Sequence, residues 1–330
     1  MLAAAFPPNE AERIEAIKRA QILDTPPEER FDRLTRLARR LFGVPMALVS
    51  VVDADRQWFK SAQGLATRQT PRKVSFCAHA ILGDELFIVR DALADERFSD
   101  NPLVTENPKI RFYAGCPLSL AGGHKLGALC LLDVEPRELS ADEQELLRDL
   151  AGMAEQELAA HRLATTDELT QMCNRRGFEN LAQSALDACF IRQEPATLCF
   201  FDLNRFKAIN DAFGHAAGDA ALRAFGRALK EAVGDAGLAA RLGGDEFVAL
   251  MPGATEREAF QALDRLRAAL DRENRSLSQR GFSVGFSVGR IETPADPRAS
   301  EPVSLAALLS QADAAMYASK KARHEALSED

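Results

Sequence analysis

The feature that most restricts this chain is the stretch from Leu238 to Met251, LAARLGGDEFVALM, where two apolar, β-prone runs meet at Gly243 and Gly244. A Gly-Gly pair supplies the positive φ that tight hairpins need, and the missing side chains let a bulky ligand reach the backbone. Asp245 and Glu246 follow the bend at once, so the pattern predicts a hairpin with acid at its tip.

A second acid lies upstream in FFDLNRFKAIND, Phe200 to Asp211, which leads into GHAAGD, Gly214 to Asp219. Thr197 to Leu203 reads as a buried strand. Helical spacing then takes over through Phe206, Ile209 and Phe213. Asp202 is therefore expected at the C-terminal end of a strand, where open α/β sheets bind ligands and the next helix offers free N–H groups to phosphate. Lys207, in the first turn of that helix, adds positive charge. Such a donor set suits Mg²⁺, which takes hard oxygens from one or two carboxylates plus substrate phosphates, and paired ions can clamp an in-line phosphoryl displacement. The five histidines are scattered and no CxxC or HExxH spacing offers a zinc alternative.

With these residues in place, the segment from about Asp167 to Lys320 resembles the GGDEF-domain diguanylate cyclases, which join two GTP molecules into cyclic di-GMP and release pyrophosphate. The resemblance is carried in order by DELTQMCNRRGF, FFDLNRFKAIND, GHAAGD, RLGGDEF, FSVGFSVGRI and ADAAMYASK. It implies Asp202, the carbonyl of Leu203 and Asp245 as metal ligands for two Mg²⁺, with Mn²⁺ as a substitute. Asp245 or Glu246 would help deprotonate the attacking 3′-hydroxyl. Asn210 and Asp219 match positions that read guanine, and a carboxylate suits guanine because guanine N1–H and its exocyclic amine are donors. Gly243 and Gly244 border the substrate, and Lys207 and Lys320 match phosphate contacts.

The sequence departs from that pattern in several places. Gln171, Met172 and Cys173 replace the usual opening run, and Asn204 stands where many members carry a second Asp. After Lys320 the chain reads Lys321, Ala322, Arg323, His324 rather than continuing toward Gly-Arg-Asn, and Lys321 or Arg323 is left to replace the arginine's phosphate contact. Gly234 and Gly237 occupy the places of an Arg-x-x-Asp inhibitory product site, so strong product inhibition there is not expected.

The N-terminal half reads as helices over Asn9 to Ala20 and Thr25 to Phe42, the second opened by a Thr25-Pro26-Pro27-Glu28 capping box and closed by Gly43. Strands are expected over Met46 to Val52, Gln57 to Ser61, Leu86 to Val89, Arg111 to Leu120 and Lys125 to Leu132, with a turn at Ala121-Gly122-Gly123. RFYAGCPLSL, HKLGALCLLD and PRKVSFCAHAI resemble GAF domains. Cys77 and His79 are read as packed into the core, with His79 hydrogen-bonded, rather than as a chromophore or metal site. Trp58, Phe112 and Tyr113 fit either a small-molecule pocket or core and dimer packing. A Ser140–Glu143 capping box opens a helix to about Ala164 whose Leu146, Leu150, Met153, Glu157, Ala160 and Ala164 form a heptad-like seam.

The expected architecture is thus an α+β GAF sensor domain over residues 1–155, a connecting signalling helix over 140–166, and an α/β GGDEF domain over 167–330 with a central mixed sheet flanked by helices. At 46% apolar and 27% charged residues the chain reads as globular, and its formal charge of −8 argues against nucleic-acid or anionic-membrane partners. Neither a membrane span nor a signal peptide is legible, which points to the cytoplasm. Six cysteines show no paired framework. The expected partners are GTP, a second copy of the chain and a small-molecule ligand of the sensor. The competing reading is a degenerate GTP-binding or protein-interaction module.

Overall fold

The computed structural model describes residues 1–120, 122–293, 295 and 302–328, without the side chains beyond 321. The chain divides into two units, Met1–Arg162 and Leu163–Asp330.

The first unit runs α1 (Glu10–Ala20), α2 (Glu29–Phe42), β1 (Met46–Val52), β2 (Arg56–Gln63), β3 (Gln69–Pro71), α3 (Cys77–Ala80), β4 (Phe87–Val89), α4 (Pro102–Thr105), β5 (Phe112–Ser119), β6 (Lys125–Asp133) and α5 (Ala141–Thr165). Its antiparallel sheet has the order β3-β2-β1-β6-β5-β4. All seven residues of β1 are buried because both faces are covered. Alternation sends Ala47, Val49 and Val51 into a core with α1, α2 and α5, while Met46, Leu48 and Val52 enter a second core around α3 and the loops. Trp58 and Phe112 join the first core and Tyr113 the second.

Two expectations change here. Helix α2 begins at Glu29 after an extended Glu28 without a side-chain cap. Thr25 Oγ1 instead donates to the Ile22 carbonyl at 2.7 Å and accepts from the buried Lys60 ammonium at 2.6 Å, so a tertiary partner has taken the oxygen expected to cap the helix. The Ser140–Glu143 capping box does form, with reciprocal bonds of 3.2 and 2.8 Å. The face that α5 buries is nevertheless Leu147, Leu150, Ala151, Ala154 and Leu158, whereas Met153 and Ala160 of the expected seam are exposed. Gly123 closes its turn on the Leu120 carbonyl, and Ala121 lies outside the described residues.

The second unit runs α6 (Arg175–Arg192), β7 (Ala196–Leu203), α7 (Phe206–Phe213), α8 (His215–Val233), β8 (Leu238–Gly243), β9 (Glu246–Pro252), α9 (Glu256–Ser278), β10 (Phe286–Thr293) and α10 (Leu305–Ser328). The sheet order is β10-β7-β9-β8. Its ladders are antiparallel; a parallel pairing occurs at the isolated Cys173–Ala240 bridge. The apolar run of β7 is explained by helices on both faces. Cys199, Phe201 and Leu203 pack in the core with α8 and α9, and Ala196, Leu198 and Phe200 pack with α6 and α10. No helix among the described residues is long and apolar enough to cross a membrane.

Candidate active site

Alternation along β7 also decides where the first acid points. Asp202 continues the even-numbered face of Leu198 and Phe200, toward α10, and arrives where the apolar run ends. Glu246 is its direct partner across the ladder to β9. Asp245 sits in the β8–β9 turn, where its carbonyl accepts from the Leu203 N–H at 3.2 Å. The turn is built on Gly243 at φ 155° and Gly244 at φ 51°, with open space where either Cβ would stand. From α10, Lys320 Nζ donates to Asp202 Oδ1 at 2.6 Å. Asp202, the Leu203 backbone, Asp245, Glu246 and Lys320 are thus brought together at one strand end.

The electrostatics are those of crowded acid. Burial raises the Asp245 pKa, and the neighbouring Asp202 charge raises it further against the opposing pull of Lys320 and Arg241. Glu246 is raised by burial and then by Asp313, with Arg175 opposing. Among the described residues no group of three or more His, Cys, Asp or Glu is placed to hold a metal alone. Asp202 and Asp245 are hard oxygen donors of the kind that suits a divalent cation whose shell is completed by water and phosphate. Asn204 is engaged elsewhere, its Oδ1 accepting from Ser287 Oγ at 2.8 Å. A cavity of about 640 Å³, lined by Asn204, Arg205, Ile209, Phe213, Gly285 and Lys320, adjoins the strand end.

The guanine-reading candidates lie at the α7–α8 junction. Asn210 rests on Gly218, where an added Cβ would stand 2.0 Å from Asn210 Oδ1. The bare glycine lets the amide lie flat on α8. Asp219 is half-buried and 3.8 Å from Arg223. Lys207 is exposed in the first turn of α7.

Gly234 and Gly237 have a conformational reason to be glycine. Gly234 caps α8 at φ 71°, and a Cβ at Gly237 would meet Val233 Cγ1 at 2.1 Å. Restoring an Arg and an Asp there would strain the α8–β8 connection. The Arg323 side chain lies outside the described residues, and Lys321 is exposed.

Arg241 and Asp167 were not singled out by spacing. Arg241 Nε and Nη2 donate to the Gly244 carbonyl at 3.0 and 2.8 Å, while its Nη1 reaches the Asp167 carboxylate at 3.1 Å. Burial opposes the Asp167 charge, yet bonds from Thr170 together with the Arg241 charge outweigh it and hold its pKa below the ordinary value. This pair ties the unit's opening segment to the hairpin tip. The available signal was position, since Asp167 starts the first family motif and Arg241 precedes the glycines.

Residues 164–326 match the family described as diguanylate cyclase, GGDEF domain, and residues 26–158 match the GAF domain. The diguanylate cyclase DgcP of Escherichia coli K12 is 30% identical over 262 residues, covering 75% of this chain and 74% of DgcP. The chain belongs to the GGDEF diguanylate cyclase family. Its GGDEF domain follows a GAF domain. A cyclic di-GMP phosphodiesterase of Pseudomonas aeruginosa is 41% identical over 179 residues, covering 53% of this GAF–GGDEF chain, which spans only 30% of that protein. Among solved structures, the coiled coil and GGDEF domain of DgcB from Caulobacter crescentus, in complex with c-di-GMP, is 26% identical with a TM-score of 0.47, covering 54% of this chain and 92% of that one.

Proposed function

We propose that this GAF–GGDEF protein condenses two GTP into cyclic di-GMP, releasing pyrophosphate, as a homodimer controlled by its GAF domain. The observation that carries this reading is the convergence of Asp202, Asp245 and Glu246 at the end of β7 and β9. Asp202, Asp245 and the Leu203 carbonyl would hold Mg²⁺, which would supply charge neutralisation at the α-phosphate. Lys320 and Lys207 draw the phosphates, and Asn210 and Asp219 take the guanine edge. Asp245 or Glu246 accepts the proton of the 3′-hydroxyl. Each domain holds one nucleotide, so two active faces must meet for ring closure, and positioning does most of the work. The sensor acts through the α5 connection.

A second reading, in which the domain binds nucleotide without making product, is favoured by the altered stretch after Lys320 and by the relative named a phosphodiesterase. Purified protein incubated with Mg²⁺ and GTP, ATP or cyclic di-GMP, followed by product chromatography, separates the readings. Cyclic di-GMP from GTP alone, lost on chelation, supports the cyclase. Binding of GTP without turnover supports the module, and consumption of cyclic di-GMP to a linear product supports hydrolysis.

A further inference from the structure

The GAF domain holds a chemical group that the cyclase reading does not use. Cys77 on α3 and Cys130 on β6 bring their sulfurs to 3.6 Å, and both thiols line a cavity of about 400 Å³ within this domain. Around them the cavity is apolar, with Met46, Leu48, Phe59 and Ile110 in its wall. Two polar side chains meet Cys77: Gln57 Nε2 donates to its Sγ at 3.3 Å and Tyr113 Oη at 3.2 Å. The phenol reaches that sulfur because residue 115 is glycine; a Cβ there would stand 2.1 Å from the Tyr113 hydroxyl. Thr70 also lines the cavity, and its buried Oγ1 has no hydrogen-bond partner among the described residues.

These contacts make the two sulfurs unequal. Burial opposes a thiolate at both, but at Cys77 the hydrogen bonds from Cys130, Ser50, Tyr113 and Gln57 outweigh it and bring the thiol below its ordinary pKa. Cys130 is pushed well above, first by burial and then by its sulfur neighbour. Two thiols in contact, reached through a cavity rather than from open solvent and with Gln57 and Tyr113 hydrogen-bonded to Cys77, have the form of an attacking and a resolving cysteine.

We infer that this cavity is a thiol oxidation site, in which Cys77 reacts with a small hydroperoxide and Cys130 resolves the product. The Cys77 thiolate attacks the distal peroxide oxygen, forming the S–O bond of a sulfenic acid as the O–O bond breaks and the leaving alkoxide or hydroxide takes a proton. Cys130 sulfur then attacks Cys77 sulfur, forming the disulfide and expelling the hydroxyl, which leaves as water with the Cys130 proton. In sum, two thiols and one hydroperoxide give one disulfide, one alcohol or water, and one water. The sulfurs need only close from 3.6 Å to the ~2 Å of a disulfide. Thr70 Oγ1 offers the hydroperoxide a hydrogen bond.

The test treats the full chain with one equivalent of hydrogen peroxide, alkylates the remaining thiols and maps the peptides under non-reducing conditions. The expected result is a Cys77–Cys130 linkage with the other four cysteines still alkylated. Cys116 is the internal control, because it is partly exposed while burial pushes its thiol up to about 11. In Cys130→Ala, dimedone should capture a sulfenic acid at Cys77; in Cys77→Ala, Cys130 should stay reduced. Oxidation of Cys116 ahead of Cys77 in the unmodified protein, or equal reaction at all six cysteines, would overturn the assignment. The unmodified chain decides this without any variant having to fold.

Discussion

At the residue scale the account turns on acids held close at some cost. Asp202→Ala and Asp245→Ala should each lower kcat by on the order of 10² or more while the chain stays folded, because charge-stabilising groups of this kind carry several kcal/mol of the barrier. Initial rates with GTP, paired with circular dichroism, check this; near wild-type turnover in either variant would remove that residue from the metal site. The raised Asp245 pKa has a further consequence whose sign is definite. A carboxyl titrating higher in the folded than in the unfolded chain favours folding when protonated, so its contribution is lost as pH rises through the interval between the two values. Asp245→Asn should therefore raise Tm at pH 7, and the gain should vanish at low pH, where the wild-type carboxyl is itself neutral. Base choice belongs to this scale too: Asp219→Ser should lower the GTP-to-ATP ratio of kcat/KM, since a hydroxyl adapts its donor or acceptor role where a carboxylate does not.

At the element scale, what was legible in the sequence is what periodicity controls. The β8–β9 hairpin, the β7 strand and the start of α7 stand where the alternation, the Gly-Gly bend and the helical spacing put them. The α2 cap was not legible, because its Thr25 hydroxyl was claimed by Lys60, 35 positions away. The face of α5 was ambiguous for another reason: Leu146, Leu150 and Met153 compete with Leu147, Leu150 and Ala154 as apolar stripes, and only the partner core selects between them. The Arg241 bridge depends in the same way on a residue 74 positions upstream. Arg241→Met removes both the Asp167 pair and the brace on the Gly244 carbonyl. Its kcat should fall by roughly ten- to a hundredfold through misplacement of Asp245, as small displacements of reacting groups do. Asp167→Asn, which leaves the hairpin brace in place, should lose less. Equal kcat in all three proteins would show that the hairpin needs no such tie.

For the whole molecule, the family match accounts for the order of the two domains, while the chemistry of the GAF cavity rests on residues that only the fold unites: Cys77 and Cys130 lie 53 positions apart. The glycines before the hairpin likewise acquired a backbone role that composition did not reveal. With neither arginine nor acid at positions 234 and 237, added cyclic di-GMP should inhibit weakly and competitively, and potent non-competitive inhibition would place a product site elsewhere. On the proposed mechanism, in which each domain of a dimer holds one nucleotide, specific activity should rise with protein concentration until the dimer is saturated. The most direct test of the central claim is the stoichiometry of GTP turnover by the purified chain with Mg²⁺, measured beside Asp202→Ala. The account predicts one cyclic di-GMP and two pyrophosphates for every two GTP consumed, with the variant silent; GTP bound but unconverted, or the same product from the variant, would contradict it.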